Sequence, residues 1–332
     1  MLPMISVVIP AYNAQNTIEP TLRSVFAQEY RNLEVIVADD ASKDGTAAAA
    51  RRALLAGDRP WKLIELESNR GVSAARNEGM KAASGEYLLF MDADDRADPD
   101  FLTILHGVIS VSGADIAFCG FRSRDMRTGK EDRFPVKLDP SRGYTAEDLA
   151  VMRIFKKIDP TVWTMLFRKD FIFSRGLSFA EGCSHGQDVE FVIEALSVAG
   201  HAAFSPECPF VYMHHANMAS AADRSFGEKK LRRYADFTES HFRMARFLTE
   251  RSGSKKLAEI ANRFLLPTAY IKRLTLCAWQ KDRRAFDEIL ASREVRDILR
   301  SSRRYAAKKP EVFLKSLCLL TAPGLYYRMR AR

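Results

Sequence analysis

The 332-residue sequence has little of what would make a chain fibrous, disulfide-stapled or membrane-spanning. Its five cysteines, at 119, 183, 208, 277 and 318, are odd in number, widely spread and free of any CxxC pair. Neither a disulfide framework nor a cysteine zinc cluster is encoded, and reduced thiols are expected. No apolar run reaches the roughly 18 residues needed to cross a bilayer. The best stretch, 312–327, is broken by Lys315 and by Pro323-Gly324. The first four residues lead straight into a strand-like run without a basic region ahead of an apolar one; no signal peptide is expected, which places the chain in the cytoplasm. With 17 Gly and 13 Pro, no collagenous composition is present. A GxGxxG fingerprint is missing after the first apolar run, where Pro10-Ala11-Tyr12-Asn13 stands instead, and this excludes a dinucleotide oxidoreductase.

What is present suits a large core: 47% of residues are hydrophobic and 10% aromatic, and the length allows two domains. The net charge of +9 is divided unevenly. From residue 223 on, 27 Lys and Arg face 12 Asp and Glu, a net +15, whereas the first 222 residues hold 24 against 30, a net −6. An acidic body, 1–221, thus precedes a basic region, 222–332. Such a region suits an anionic partner, whether membrane surface, phosphorylated lipid or nucleic acid. Single-strand binders interleave aromatics with cations on an exposed face. Here Phe226, Leu231, Tyr234, Phe237, Phe242 and Phe247 recur at core-facing helical spacing, which argues against nucleic acid and predicts an all-helical C-terminal region.

The first 120 residues alternate short apolar runs with helical patterns, the signature of a parallel sheet covered by helices. Strands are predicted over 5–10, 33–38, 62–66, 87–91 and 115–119. Asn16 with Glu19 resembles a capping box opening a helix whose Ile18, Leu22, Val25 and Phe26 share a face. An Ala-rich helix follows Ser42-Lys-Asp-Gly45, and a third, from about Val72 to Ala83, is expected to stop at the small pair Ser84-Gly85. Beyond Gly120 the pattern loosens into a polar stretch, 123–132, and mixed segments.

Open α/β sheets bind ligands at the carboxyl ends of their strands, and three predicted strands end in polar groups. The first ends in Pro10-Ala11-Tyr12-Asn13, the second in Asp39-Asp40, the fourth in Asp92-Ala93-Asp94-Asp95. Carboxylates accept hydrogen bonds from nucleobase N–H groups and ribose hydroxyls, and oxygen donors suit Mg²⁺ or Mn²⁺. Several acids at the rim of a buried strand are costly unless a cation or donors offset them. Cys183 with His185 gives two ligands without partners at zinc spacing, and no zinc site is read there.

Four segments in order resemble the motifs of the family 2 inverting glycosyltransferases of the GT-A fold: Ser6 to Asn13, Val37 to Ser42, Asn69 to Gly79, and Phe90 to Asp95. The resemblance covers roughly residues 4–215 and leaves the basic region outside. It implies a mostly parallel α/β sheet with flanking helices, the C-terminal helical region being an addition to it. It implies that Pro10, Ala11, Tyr12, Asn13, Asp39 and Asp40 surround a nucleobase and ribose, that Arg76 belongs to the nucleotide site, and that Asp92 lies beside ribose and diphosphate. Asp94 would bind the divalent cation, Mn²⁺ or Mg²⁺. Gly186-Gln-Asp-Val-Glu-Phe191 matches the family's later acidic segment, which makes Asp188 the catalytic base, with Gln187 where a Glu is familiar. Met165 likewise stands where a Lys is often found. Tyr212-Met-His-His215 follows the base, and His214 is the candidate there for the metal. The implied activity is transfer of a sugar, from a UDP-sugar, to a hydroxyl of a carbohydrate or lipid-linked acceptor in cell-surface polysaccharide or glycolipid synthesis. A peripheral position on the inner face of the membrane is the expectation for the basic region. A sugar-phosphate nucleotidyltransferase on a related fold is the alternative, and it would have no need of Asp188.

Overall fold

Continuous runs of Val, Ile and Leu form the centre of the molecule. The computed structural model describes residues 2–139, 141–214 and 227–331. Strands β1 (Ile5–Ala11) and β2 (Leu33–Asp39) are buried along their whole lengths, as strands covered on both faces require. With β3 (Trp61–Glu65) and β4 (Tyr87–Phe90) they make the parallel half of the main sheet. The two-residue β5 (Arg96–Ala97) follows, then β6 (Ile116–Phe118), β7 (Phe121–Asp125), β8 (Glu131–Phe134), β9 (Met165–Arg168), β10 (Ala202–Phe204) and β11 (Phe210–His214). The main sheet runs β10-β6-β9-β4-β1-β2-β3. Only β9 runs against its neighbours, β4 and β6. A smaller sheet, β5-β11-β7-β8, lies apart from it in hydrogen bonding.

Helices α1 (Ile18–Phe26), α2 (Thr46–Ala56), α3 (Val72–Ala82), α4 (Phe101–Ser112), α5 (Ala146–Ile154), α6 (Lys169–Ser174) and α7 (Gln187–Val198) complete the first unit, Met1–Ala222. The second unit, Asp223–Arg332, is helical throughout its described elements: α8 (Glu228–Glu250), α9 (Lys255–Ile260), α10 (Leu266–Trp279), α11 (Arg283–Ala291), α12 (Arg293–Ser301), α13 (Pro310–Thr321) and α14 (Pro323–Arg330). A π-turn, Ala261–Leu265, joins α9 to α10 just ahead of Pro267, a residue that cannot donate to the preceding turn. No described helix is long and apolar enough to cross a membrane.

Two local expectations are corrected. Asn16 does not cap α1. The helix begins at Ile18 without a side-chain cap, and the amides of Thr17 and Ile18 both donate to the Ala14 carbonyl. Helix α3 does stop ahead of Ser84-Gly85, with Ala83 as its C-cap, but Gly85 is a glycine for a different reason than helix termination. A Cβ there would press on the Met4 carbonyl at 2.7 Å and the Ser6 nitrogen at 2.8 Å, so the requirement comes from the close passage of the chain entering β1. The amides just past α3 instead reach a buried acid: Ser84 N donates to Glu34 Oε1 at 2.5 Å, and Gly85 N to Ser6 Oγ at 2.8 Å, which itself donates to Glu34 at 2.6 Å. The polar stretch 123–132 proves to be most of a hairpin, β7 with β8, turning at Gly129 (φ +72°).

Candidate active site

The parallel register brings the first two motifs together. Ala11, the last residue of β1, lies opposite Asp39, the last of β2, and Asp39 opposite Glu65. Beyond this edge the chain departs from ordinary backbone: Asn13 and Ala41 have φ of +50° and +55°, conformations that L-residues hold only under tertiary constraint. The constraint is reciprocal. Asn13 N donates to Ser42 Oγ at 2.9 Å, and Lys43 N donates to Asn13 Oδ1 at 2.9 Å. Pro10 and Ala11 are buried, while the Tyr12 ring is 47% exposed beside them, an apolar face with a polar tip open to a planar ligand. Asp39 is buried and accepts from the Ser42 hydroxyl. Burial pushes its carboxyl up, against the Ser42 hydrogen bonds and helped by the charges of Glu65 and Asp44.

Asp40 faces the protein. Its two oxygens accept from the amides of Arg70 and Gly71 at 2.8 Å each, and Gly71 supplies the left-handed φ of +89° that starts α3. Asp40 therefore joins the second motif to the third. From α3, Arg76 reaches the fourth motif. Its Nη2 donates to Asp92 Oδ1 at 2.6 Å, and its guanidinium lies over the Phe179 ring at 5.2 Å. Arg76 is buried, and its Nε and Nη1 have no partner among the described residues. Orphaned charged donors are expensive, and an anion at this edge would satisfy them.

The acids after β4 are treated individually. Asp92 is half-buried and paired with Arg76; Asp95 is fully buried, with Oδ1 accepting from Met213 N at 2.8 Å. Burial, with Asp92 and Asp94 alongside, pushes the Asp95 carboxyl well above the usual range. The turn between them is held by Thr21, whose hydroxyl donates to the carbonyls of Ala93 and Asp95 at 3.0 and 2.8 Å. The protein's own donors thus meet part of the cost of gathering these charges, one of the two ways expected from the sequence. Among the described residues no three His, Cys, Asp or Glu side chains make a metal cage by themselves. A Mg²⁺ or Mn²⁺ held through one or two carboxylates takes its remaining ligands from phosphates and water. Asp94, half-buried at this edge, fits a site of that kind. His214 ends β11, exposed, its ring edge-on to Tyr212 at 4.8 Å. The pairing of β11 with β5 and the Met213–Asp95 bond set that strand beside the acids. His215 lies outside the described residues.

Asp188 stands in the first turn of α7, after Gly186 at φ +87°. The helix is anchored by an aromatic cluster: Phe191 stacks on Phe179 at 4.0 Å and meets Phe90, the last residue of β4, at 6.0 Å. Phe179 carries Arg76 on its ring, so one continuous packing chain runs from α7 to Asp92.

Sequence reasoning missed the device that holds this chain together. Asn77 donates to the Phe179 carbonyl at 2.9 Å and to Glu181 Oε1 at 3.1 Å, and accepts from Phe179 N at 2.9 Å. Arg70 adds an ion pair to Glu181 at 2.8 Å. The hydrogen bond from Asn77, with Arg70 assisting, holds the Glu181 carboxyl below its usual range. Asn77 sits inside the third motif, but its partner lies a hundred residues on, and no local pattern announces it.

The sequence matches the profile described as Glycosyl transferase family 2 over residues 6–173. Among curated relatives, the succinoglycan biosynthesis protein ExoO of Rhizobium meliloti (strain 1021) is 30% identical over 256 residues, covering 70% of this chain and 70% of ExoO. Among solved structures, residues 1–349 of S. aureus TarS in complex with UDP-GlcNAc superpose with a TM-score of 0.67 at 19% identity, covering 99% of this chain and 88% of that one. The mannosyltransferase PcManGT of Pyrobaculum calidifontis, in complex with GDP-Man and Mn²⁺, gives a TM-score of 0.55 at 18% identity, covering 97% and 88%. The architecture is of the GT-A type, a central mixed sheet with flanking helices and a helical C-terminal region.

Proposed function

The chain belongs to glycosyl transferase family 2, and from that premise we propose that it is an inverting, metal-assisted enzyme. It moves a sugar from a nucleoside diphosphate sugar, a UDP-sugar, to a hydroxyl of a carbohydrate or lipid-linked acceptor in cell-surface polysaccharide synthesis. The observation that carries the reading is Arg76, buried, paired with Asp92 and left with two orphaned donors at the edge where the carboxylates gather. A site that holds both signs there suits a diphosphate. The TarS complex with UDP-GlcNAc, the PcManGT complex with Mn²⁺ and the role in ExoO's name support the donor, the cation and the polysaccharide context.

In this reading Tyr12 lies against the base between Pro10-Ala11 and Asn13, and Asp39 accepts from base N–H or ribose hydroxyl. Asp40 keeps the entry to α3 in place, and Arg76 and Asp92 orient ribose and diphosphate. Asp94, with His214, would hold Mn²⁺ or Mg²⁺, which supplies Lewis-acid stabilisation of the departing diphosphate. An acceptor hydroxyl has a pKa far above neutrality, so attack at the anomeric carbon gains from a carboxylate that takes the proton as the bond forms. Asp188 does this. A single displacement inverts the anomeric centre, giving a β-glycoside from an α-linked donor. The test is a panel of nucleotide sugars scored for release of nucleoside diphosphate, with product configuration read by NMR. Asp188→Asn should still bind donor while transfer falls by about 10² to 10⁴. Near-normal turnover of this variant, or a retained configuration, overturns the reading.

A further inference from the structure

We propose that the acceptor is recognised through a phosphoryl group, and that the cavity between the end of β6, strand β8 and the 156–160 loop is the subsite that takes it. The proposal rests on the transferase reading above. The cavity measures about 190 Å³, with Phe118, Phe134 and Ile158 among its apolar walls, and Arg133, Lys137, Lys156 and Lys157 around it. This is a concentration of positive charge in the part of the chain, residues 1–222, whose net charge is −6. None of the four cations makes an ion pair among the described residues. The acid among the lining residues, Asp159, is engaged elsewhere, at 3.1 Å from the buried Arg153.

The cavity is built rather than incidental. Arg153 also donates to the Pro160 carbonyl at 3.1 Å, so one buried guanidinium fixes the far end, Asp159-Pro160, of the turn that presents the lysines. Lys156, at φ +57°, and Lys157, whose N donates to the Met152 carbonyl at 2.8 Å, close α5 as a Schellman turn, which fixes the backbone of both lysines at the rim of the cavity. On the opposite wall, a Cβ on Gly120 would come within 2.6 Å of the Phe134 carbonyl and 2.8 Å of Cys208 Sγ. Backbone contact therefore closes that side.

Its position joins it to the chemistry. Strands β6 and β4 both run against β9, with Phe118 opposite Met165 and Leu89 opposite Leu166. They end at the same edge of the sheet, two strand spacings apart, roughly 10 Å. Phe121, which lines the cavity, meets the edge of Trp163 at 4.8 Å, and Trp163 stacks on Tyr212 at 5.5 Å. The turn Val162–Thr164 that carries Trp163 packs on α7, whose first turn holds Asp188. An acceptor anchored by its phosphoryl group in the cavity can extend its sugar along this edge, past the buried Trp163, toward the base. Four cations around one small cavity suit a multiply charged group, and lysines receive phosphate as point charges. The same chemistry comes from the diphosphate of a lipid carrier or the phosphodiester of a polymer, and the experiment separates them.

Inorganic pyrophosphate is titrated by calorimetry into full-length protein saturated with UDP, which fills the donor site. The expected result is saturable binding that weakens at least tenfold in the double variant Lys156→Gly/Lys157→Ala, glycine being the residue that accepts φ +57° without strain. No saturable binding, or equal affinity in the variant, overturns the proposal. In transfer assays one sugar is offered on a short prenyl diphosphate, on a glycerol phosphodiester, as a neutral methyl glycoside and linked to a uronate. A KM at least tenfold lower for a phosphoryl acceptor than for the neutral one, with the gap closing in the variant, supports the subsite, and the better phosphoryl arm names the source. A gap that persists in the variant, or preference for the uronate, overturns it. Failure of the transferase reading is seen separately: native protein then releases no nucleoside diphosphate from any sugar donor, whatever the pyrophosphate titration shows.

Discussion

Three residues apart at most, the acids after β4, Asp92, Asp94 and Asp95, stand in different surroundings. Asp92 is tied to Arg76 and Asp95 to Met213 N; Asp94, half-buried at the same edge, is the one proposed for the cation. Asp94→Ala is expected to abolish turnover, and a chelator to do the same to native protein; a variant that transferred sugar at the normal rate in chelator would refute the assignment. Glu34 shows the same logic in a structural acid. Burial alone would raise its carboxyl, but the Ser6 hydroxyl, the Ser84 amide and Lys62 together hold it below its ordinary 4.5. A depressed folded value means stability that is present above pH 4.5 and lost as pH falls through the lower folded value. Glu34→Gln should cost about 1–3 kcal/mol in urea at pH 7, since a charged acceptor becomes a neutral amide and Lys62 meets an NH₂ in place of a carboxylate oxygen, and the gap from native protein should narrow when the titration is repeated in acid. An unchanged gap would show that the charge is irrelevant. The strand-end residues were legible because each follows its apolar run directly. Asn77, Phe179 and Glu181 were not, because their meaning lies in contacts across about a hundred residues.

Helix α3 illustrates how one element is positioned against the sheet. Gly79 is buried in it, and a Cβ there would overlap Val8 Cγ1 in the fully buried centre of β1. Two effects of Gly79→Ala oppose each other. Alanine gains about 1 kcal/mol in helix propensity, whereas forcing a methyl into a close-packed, stiff β-branched neighbour costs about 1–3 kcal/mol. Overpacking is expected to win, giving a net loss in urea unfolding; equal or higher stability would mean that α3 can lift off β1 without penalty. Because α3 also carries Arg76 and Asn77, the same variant should weaken UDP binding. At this scale periodicity served well where strands were continuous and apolar, as in β1, β2 and β4. It failed for β7, β8 and β11, whose sheet mixes exposed charges such as Arg124, Arg133 and Glu131 into short strands. It failed for α1 because the acceptor that starts the helix is a backbone carbonyl, Ala14, which no side chain reveals.

For the molecule as a whole, the division of charge and the surface of the last two helices point the same way. The region from residue 223 carries +15. On α13, Leu314 and Leu317 are 59% and 44% exposed one turn apart, and on α14, Leu325 and Met329 are 49% and 63% exposed one turn apart. Large side chains left in water in such pairs mark an interaction surface. Exposed Lys308 and Arg328 lie within the same segment. Cations near an anionic bilayer contribute about 1 kcal/mol each, and at 0.1 M salt they act over about 10 Å, so this attraction is salt-sensitive, while insertion of the leucines is less so. The expectation is that full-length protein sediments with anionic vesicles at low salt and much less at high salt. Neutral vesicles should not retain it, and Leu314→Glu with Leu317→Glu and Leu325→Glu should abolish binding without changing the melting temperature. The rival occupant of this face is a second copy of the chain. Sedimentation velocity decides: a dimer that the same substitutions dissociate, together with no vesicle binding at low salt, would assign the leucines to self-association and leave the basic region without a membrane role.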